Sequence, residues 1–172
     1  MRVYDLSDFK KINAFDRVKS FFSGRLCALR TWSVASKKGK IMTSLAQEAK
    51  HSVVVLHQLI ERIFNHADVS NDTMGLLLSH FHPDFRMVTP QGRQLNLNDV
   101  EDLFRRLCGQ REGMRIATSE HAIISEQQKE VTIQYRELQI LNGESHSRIS
   151  LAVLDCTTEN PRWRYLQETL VA

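Results

Sequence analysis

The stretch Glu130-Val131-Thr132-Ile133-Gln134-Tyr135-Arg136-Glu137-Leu138-Gln139-Ile140-Leu141-Asn142-Gly143-Glu144-Ser145-His146-Ser147-Arg148-Ile149-Ser150-Leu151-Ala152-Val153-Leu154 reads as two long strands around one tight turn. Asn-Gly is the strongest short hairpin signal, because a type I′ turn needs positive φ at both central residues. A two-residue loop makes Leu141 the partner of Glu144 and fixes every pair behind it. Glu137 then faces Arg148, Tyr135 faces Ser150, Ile133 faces Ala152 and Val131 faces Leu154. One face of this hairpin runs from an apolar end (Val131, Ile133, Ala152, Leu154) to a polar end (Tyr135, Glu137, Gln139, His146, Arg148, Ser150). An apolar floor under convergent polar groups is how small-molecule pockets are usually lined. The other face carries Leu138, Ile140, Ile149, Leu151 and Val153, which is too apolar for a solvated surface. It predicts a partner, a second copy packing sheet to sheet.

Working outward, two further strands are expected at about residues 114–126 and 162–171. Upstream the signals are helical. From Leu45 to Ala67 the apolar residues gather on one face at about 100° per residue. Asn71 or Asp72 can cap a shorter helix through Met74, Leu76, Leu77 and Leu78. A short strand over 81–89 follows, and Pro90-Gln91-Gly92 turns the chain. Asn98 with Glu101 reads as a capping box for a third helix that ends at Gly109. Helices first and then a long antiparallel meander make an α+β domain with helices on one sheet face.

Composition narrows the class. The chain has 172 residues, 42% hydrophobic and 25% charged, which is ordinary globular usage. No apolar run approaches the ~18 residues of a spanning helix, so a membrane protein is not expected. Cys27, Cys108 and Cys156 are scattered, without a CxxC pair, and favour free thiols in a reducing cytoplasm. The net charge of +3 is uneven: residues 1–41 hold ten Lys/Arg and three Asp, and the remainder is acidic. The basic balance therefore gives no reason to expect nucleic acid on the main domain. Residues 1–41 are read as a separate basic leading segment, and residues 42–172 as the domain. Readings of the segment stay open: an appended helix over about residues 7–31, or a stretch outside the native protein, which would start at Met42.

The order of elements, with Phe81-His82-Pro83-Asp84-Phe85-Arg86-Met87-Val88-Thr89-Pro90-Gln91-Gly92 between the second and third helices, resembles the nuclear transport factor 2-like superfamily. The strand segments Tyr135-Arg136-Glu137-Leu138-Gln139, Arg148-Ile149-Ser150-Leu151-Ala152 and Trp163-Arg164-Tyr165-Leu166-Gln167-Glu168-Thr169 are similar to its SnoaL-like bacterial branch of unknown function. The resemblance covers about residues 44–171. It implies a cone-shaped, curved antiparallel sheet wrapped around three helices, a pocket inside the cone, and commonly a homodimer across the outer sheet face. Relatives include ketosteroid isomerase, scytalone dehydratase, polyketide cyclases, limonene epoxide hydrolase and non-catalytic transport or association modules, so the fold does not fix the chemistry. The last strand departs from the branch pattern, with Gln167 and Leu170 where His and Trp are expected around Glu168-Thr169.

The expected function is small-ligand binding: a mostly apolar molecule with one polar or anionic group, contacted by Tyr135, Gln139, Arg148, Ser150 and Trp163. The alternatives are an isomerase, cyclase or dehydratase using acid–base chemistry, and a non-catalytic dimerisation module. His57, at the edge of the first helix's apolar face, is the candidate base, partnered by Glu137 or Asp84. The Glu137–Arg148 pair also has a plain reading as a cross-strand ion pair. His80, His82 and Asp84 alternate as metal ligands would, but a helix end and Pro83 interrupt them, and no metal or cofactor is expected. In the last strand, strict alternation sends either the aromatics or Glu168 inward, but not both.

Overall fold

The computed structural model describes residues 44–67 and 71–171. The readings of the leading segment therefore lie outside the described residues. The elements are α1 (Leu45–Asn65), α2 (Asn71–Ser79), β1 (Phe81–Val88), β2 (Gln94–Asn96), α3 (Leu97–Leu107), β3 (Arg115–Gln127), β4 (Glu130–Leu141), β5 (Glu144–Asp155) and β6 (Arg162–Val171). The strands form one six-stranded sheet in the order β2-β1-β6-β5-β4-β3. The fold is α+β, three helices with a curved, unclosed, mostly antiparallel sheet. One pairing differs from the expected meander: β1 lies parallel to β6, joining the chain's first long strand to its last.

α1 begins in a reciprocal capping box, Ser44 Oγ accepting from Gln47 N and Gln47 Oε1 accepting from Ser44 N. Its far end is held by the loop after α3. Gly109 N donates to Ile63 O, Arg111 N to Phe64 O, and Gly113 N to Asn65 Oδ1. The first two bonds use backbone carbonyls that a helix end otherwise leaves unpaired. The Glu61 carboxylate accepts from Ile116 N at 2.6 Å and so ties α1 to β3.

The third helix starts two residues earlier than the sequence suggests. Asn96, not Asn98, is its N-cap, and the box closes with Asp99 rather than Glu101. The reason is β2, a three-residue strand the alternation does not reveal. It pairs with β1 and delivers Asn96 in an extended conformation (φ −98°, ψ −177°), as a cap requires.

The β4–β5 register is the one that Asn142-Gly143 implies. Leu141 pairs with Glu144, Glu137 with Arg148 and Val131 with Leu154. Both turn residues have positive φ, 53° and 82°. The flanking strands are irregular. β3 holds extra residues between Ser119 and Ala122 and between Ile123 and Ser125. In β6, Leu154 pairs with Trp163 and Val153 with Tyr165, leaving Arg164 as an extra residue. Such bulges bend and twist the strand that carries them. The β6 bulge also overturns the strict alternation expected there. Trp163 is fully buried, and beyond the bulge Leu166 and Glu168 turn inward as well, so an aromatic and the carboxylate both enter. The core lies between the helices and this inner face, around Val53, Leu56, Ile63, Phe85, Ile133 and Leu154.

Candidate functional site

A cavity of about 110 Å³ lies between the helices and the sheet. Its helix side is apolar: Leu56, Ile60 and Phe64 from α1, and Val100, Leu103 and Phe104 from α3. β1 adds Phe81, Phe85 and Met87. The sheet side is different, with Glu137, Gln139, Arg148 and Glu168 beside Trp163 and Leu166, and His57 reaching in from α1.

These polar groups contact one another. His57 Nδ1 lies 2.7 Å from the carbonyl of Val53, one helical turn back. A carbonyl only accepts, so Nδ1 carries a proton. Nε2 lies 3.2 Å from Glu137 Oε2. The other Glu137 oxygen accepts from Gln139 Nε2 at 2.6 Å. Gln139 Oε1 in turn accepts from Arg148 Nη2 at 3.4 Å. Arg148 Nη1 donates to Glu168 Oε1 at 3.2 Å and lies 3.9 Å from Glu137 Oε1. One guanidinium therefore sits between two carboxylates.

The two carboxylates are displaced in opposite directions. Burial pushes Glu137 up, but the His57 hydrogen bond, the His57 and Arg148 charges and the Gln139 amide outweigh it, and the carboxyl ends below its usual range. Glu168 is raised, chiefly by burial and further by the Glu137 charge, with Arg148 only partly compensating. Burial, with help from both carboxylates, holds the Tyr135 phenol well above its usual value. It stays a neutral hydroxyl.

The structure brings His57 and Glu137 together, and sets Gln139 and Arg148 against the same carboxylate. Trp163 lines the cavity and donates its indole N–H to Ser52 Oγ at 3.0 Å. Tyr135 and Ser150 are buried facing each other across the hairpin but do not line the cavity. Tyr135 stands behind His57, its hydroxyl 3.5 Å from Nε2 and its ring edge-on to the imidazole. Asp84 is not brought to His57: its side chain is 75% exposed and lies 3.7 Å from His82. His146, on the polar end of the hairpin face, is exposed. Glu168 is the site residue the sequence left undecided, since only the bulge settles which way it faces. Among the described residues no cluster of three or more His, Cys, Asp or Glu side chains is placed to hold a metal ion.

A curved six-stranded sheet packed on three helices defines an α+β cone fold. A nuclear transport factor 2-like protein of unknown function from Pseudomonas aeruginosa is 30% identical, with a TM-score of 0.69 over 73% of this chain and 99% of that one. The chain belongs to the nuclear transport factor 2-like superfamily. A nuclear transport factor 2-like protein from Cytophaga hutchinsonii shares the fold at 12% identity, TM-score 0.60, over 75% of this chain and 100% of its own. So does a cystatin-like-fold protein of unknown function from Nostoc punctiforme, at 12% identity and TM-score 0.54, over 71% and 90%. No family model and no curated protein matches the sequence.

Proposed function

We propose that this chain binds a compact, mostly apolar molecule in the cone and sets its one polar group against the sheet-side cluster. The observation that carries this reading is the two-walled cavity, apolar on the helix side and lined by Glu137, Gln139, Arg148 and Glu168 on the other. Thermal unfolding against a library of compact metabolites tests it, because a ligand at 100 times its Kd adds about 2.7 kcal/mol of stability. Leu103→Phe, which enlarges a half-buried lining residue, should remove that shift while leaving the circular dichroism unchanged. A shift that survives the substitution would place the ligand elsewhere.

A second reading, proton-transfer catalysis of the isomerase, cyclase or dehydratase kind, is favoured by one feature. Two carboxylates across a single Arg148 are pushed apart in proton affinity, which is how one site keeps both a base and an acid. Glu137 with His57 would take a proton, and Glu168 would supply one. A bell-shaped pH–rate profile on a turned-over compound, losing its acid limb in Glu137→Gln, supports this reading; a flat profile counts against it.

The outer sheet face supports a homodimer in the same proposal. Ile140 and Ile149 are 39% and 37% exposed there, with Leu138, Leu151 and Val153 half-buried beside them. The free thiols of Cys108 and Cys156 suit a cytoplasmic setting. Among the described residues no helix is long and apolar enough to cross a membrane.

A further inference from the structure

The geometry points to a gate at the mouth of the cavity: entry runs between Ile60 and Leu103 on the helix side and the Arg148–Glu168 ion pair on the sheet side, and the ion pair is the side that opens. This inference rests on the pocket reading above and concerns how that site is reached.

The position of the mouth follows from burial. Every residue that lines the cavity is buried except Ile60, Leu103, Arg148 and Glu168. The inner sheet face leads to the same exit. Along β6, exposure rises from 9% at Leu166, before Glu168, to 48% at Leu170, after it. Along β5, Ser150 is fully buried, the Arg148 side chain is 22% exposed and His146 stands in solvent. Leu170 is the cross-strand partner of Arg148, so both strands leave the interior at one row.

The two sides of the mouth differ in how firmly they are held. Ile60 and Leu103 are short aliphatic side chains fixed to α1 and α3, and Ile60 packs against the core. Arg148 is a long side chain held only through its terminal nitrogens. They lie 3.2 Å from Glu168, 3.4 Å from Gln139 and 3.9 Å from Glu137, and the last two distances are at the outer limit for a hydrogen bond or ion pair. Its Nε adds no bond. An ion pair in contact with water is weak, worth no more than about fivefold in an equilibrium. An arginine also carries its charged head into water easily while its stem rests on apolar surface. The exposed Leu170 beside it supplies that surface.

Acrylamide quenching of Trp163 measures the opening without any ligand, because Trp163 is fully buried and lines the cavity. The full chain carries Trp32→Phe, which removes the other tryptophan, outside the described residues. Arg148→Ala should raise the quenching rate about tenfold and Glu168→Gln about threefold. Ile63→Val, a core change away from the cavity lining, should leave it unchanged. With the ion pair intact, raising salt from about 0.01 M to about 1 M should speed quenching about twofold, and Arg148→Ala should abolish that dependence. Should Arg148→Ala not fold, Glu168→Gln and the salt series decide. Rates that neither variant changes overturn the gate; a route past Ser52, the partner of the Trp163 indole on an outer cleft, would give that result. Quenching sped as much by Ile63→Val as by Arg148→Ala overturns it too, since general loosening would then suffice. Either outcome leaves the pocket reading standing. That reading falls instead with a metabolite library that gives no thermal shift, a result on which the quenching does not depend.

Discussion

The two faces of the β4–β5 hairpin invert the usual distribution of side chains. The inner face buries Tyr135, Glu137 and Gln139 to 1%, 3% and 8% exposure. The outer face leaves Ile140 and Ile149 with more than a third of their surface in water. A monomer built for stability alone would place them the other way round. Buried polar groups cost free energy unless they are paired, and here a chain of contacts runs from Val53 O through His57, Glu137, Gln139 and Arg148 to Glu168, with Arg148 Nε and Ser150 Oγ left without a hydrogen-bond partner. Such a network is tolerated where it serves a ligand, and such an apolar outer row where something covers it.

The inner face should break hardest. Glu137→Ala leaves His57, Gln139 and Arg148 without the carboxylate that joins them, and the expected loss is about 3–5 kcal/mol by chemical denaturation. Glu137→Gln keeps the shape and should cost clearly less. If the two variants lose the same amount, the Glu137 charge is not what organises the cluster. The outer face should respond differently. Ile149→Asp should leave the monomer folded and weaken self-association about 100-fold, or ~2.7 kcal/mol, by sedimentation. A protein that is monomeric before the substitution would remove the dimer from the comparison.

How far this inversion was readable in the sequence depends on the strand. On β4 and β5 it was readable in full, because Asn142-Gly143 fixes register and period-2 alternation then assigns every side chain. On β6 it was not. The extra residue Arg164 leaves no mark in composition or periodicity, yet it decides that Trp163 and Glu168 share the cavity. The choice between Glu137 and Asp84 as the partner of His57 was equally hidden, since three separate elements must be docked before the distance exists. β2 was masked by its length. Three residues carry no alternation, so the cap appeared two positions late. The parallel β1–β6 pairing joins strands that are far apart in the chain, and no local pattern encodes it.

A smaller effect sharpens the inner face near its apolar end. Ser52→Ala removes the acceptor of the Trp163 indole N–H, a buried bond 3.0 Å long. Stranding that donor should cost about 1–3 kcal/mol in urea unfolding. Trp163 also lines the cavity, so its fluorescence should shift as well. Unchanged stability would mean that the indole finds another acceptor.

The gentlest test uses pH, and it separates the two carboxylates that Arg148 joins. Glu137 binds its proton less readily folded than unfolded. It therefore stabilises the protein above the ordinary value of 4.5, and that contribution fades as pH falls through the lower folded value. Glu168 binds its proton more readily when folded. It costs nothing below 4.5 and begins to destabilise as pH rises past that point, levelling off above the raised folded value. Each tenfold difference in proton affinity between folded and unfolded chains is worth about 1.4 kcal/mol. Stability measured against pH should therefore show Glu137→Gln losing ground to the parent as pH rises through the acidic range up to about 4.5. Glu168→Gln should gain ground from about 4.5 upward. Parallel curves would show that the site does not hold its two carboxylates apart. The acid–base reading would then fall, while the pocket reading would stand.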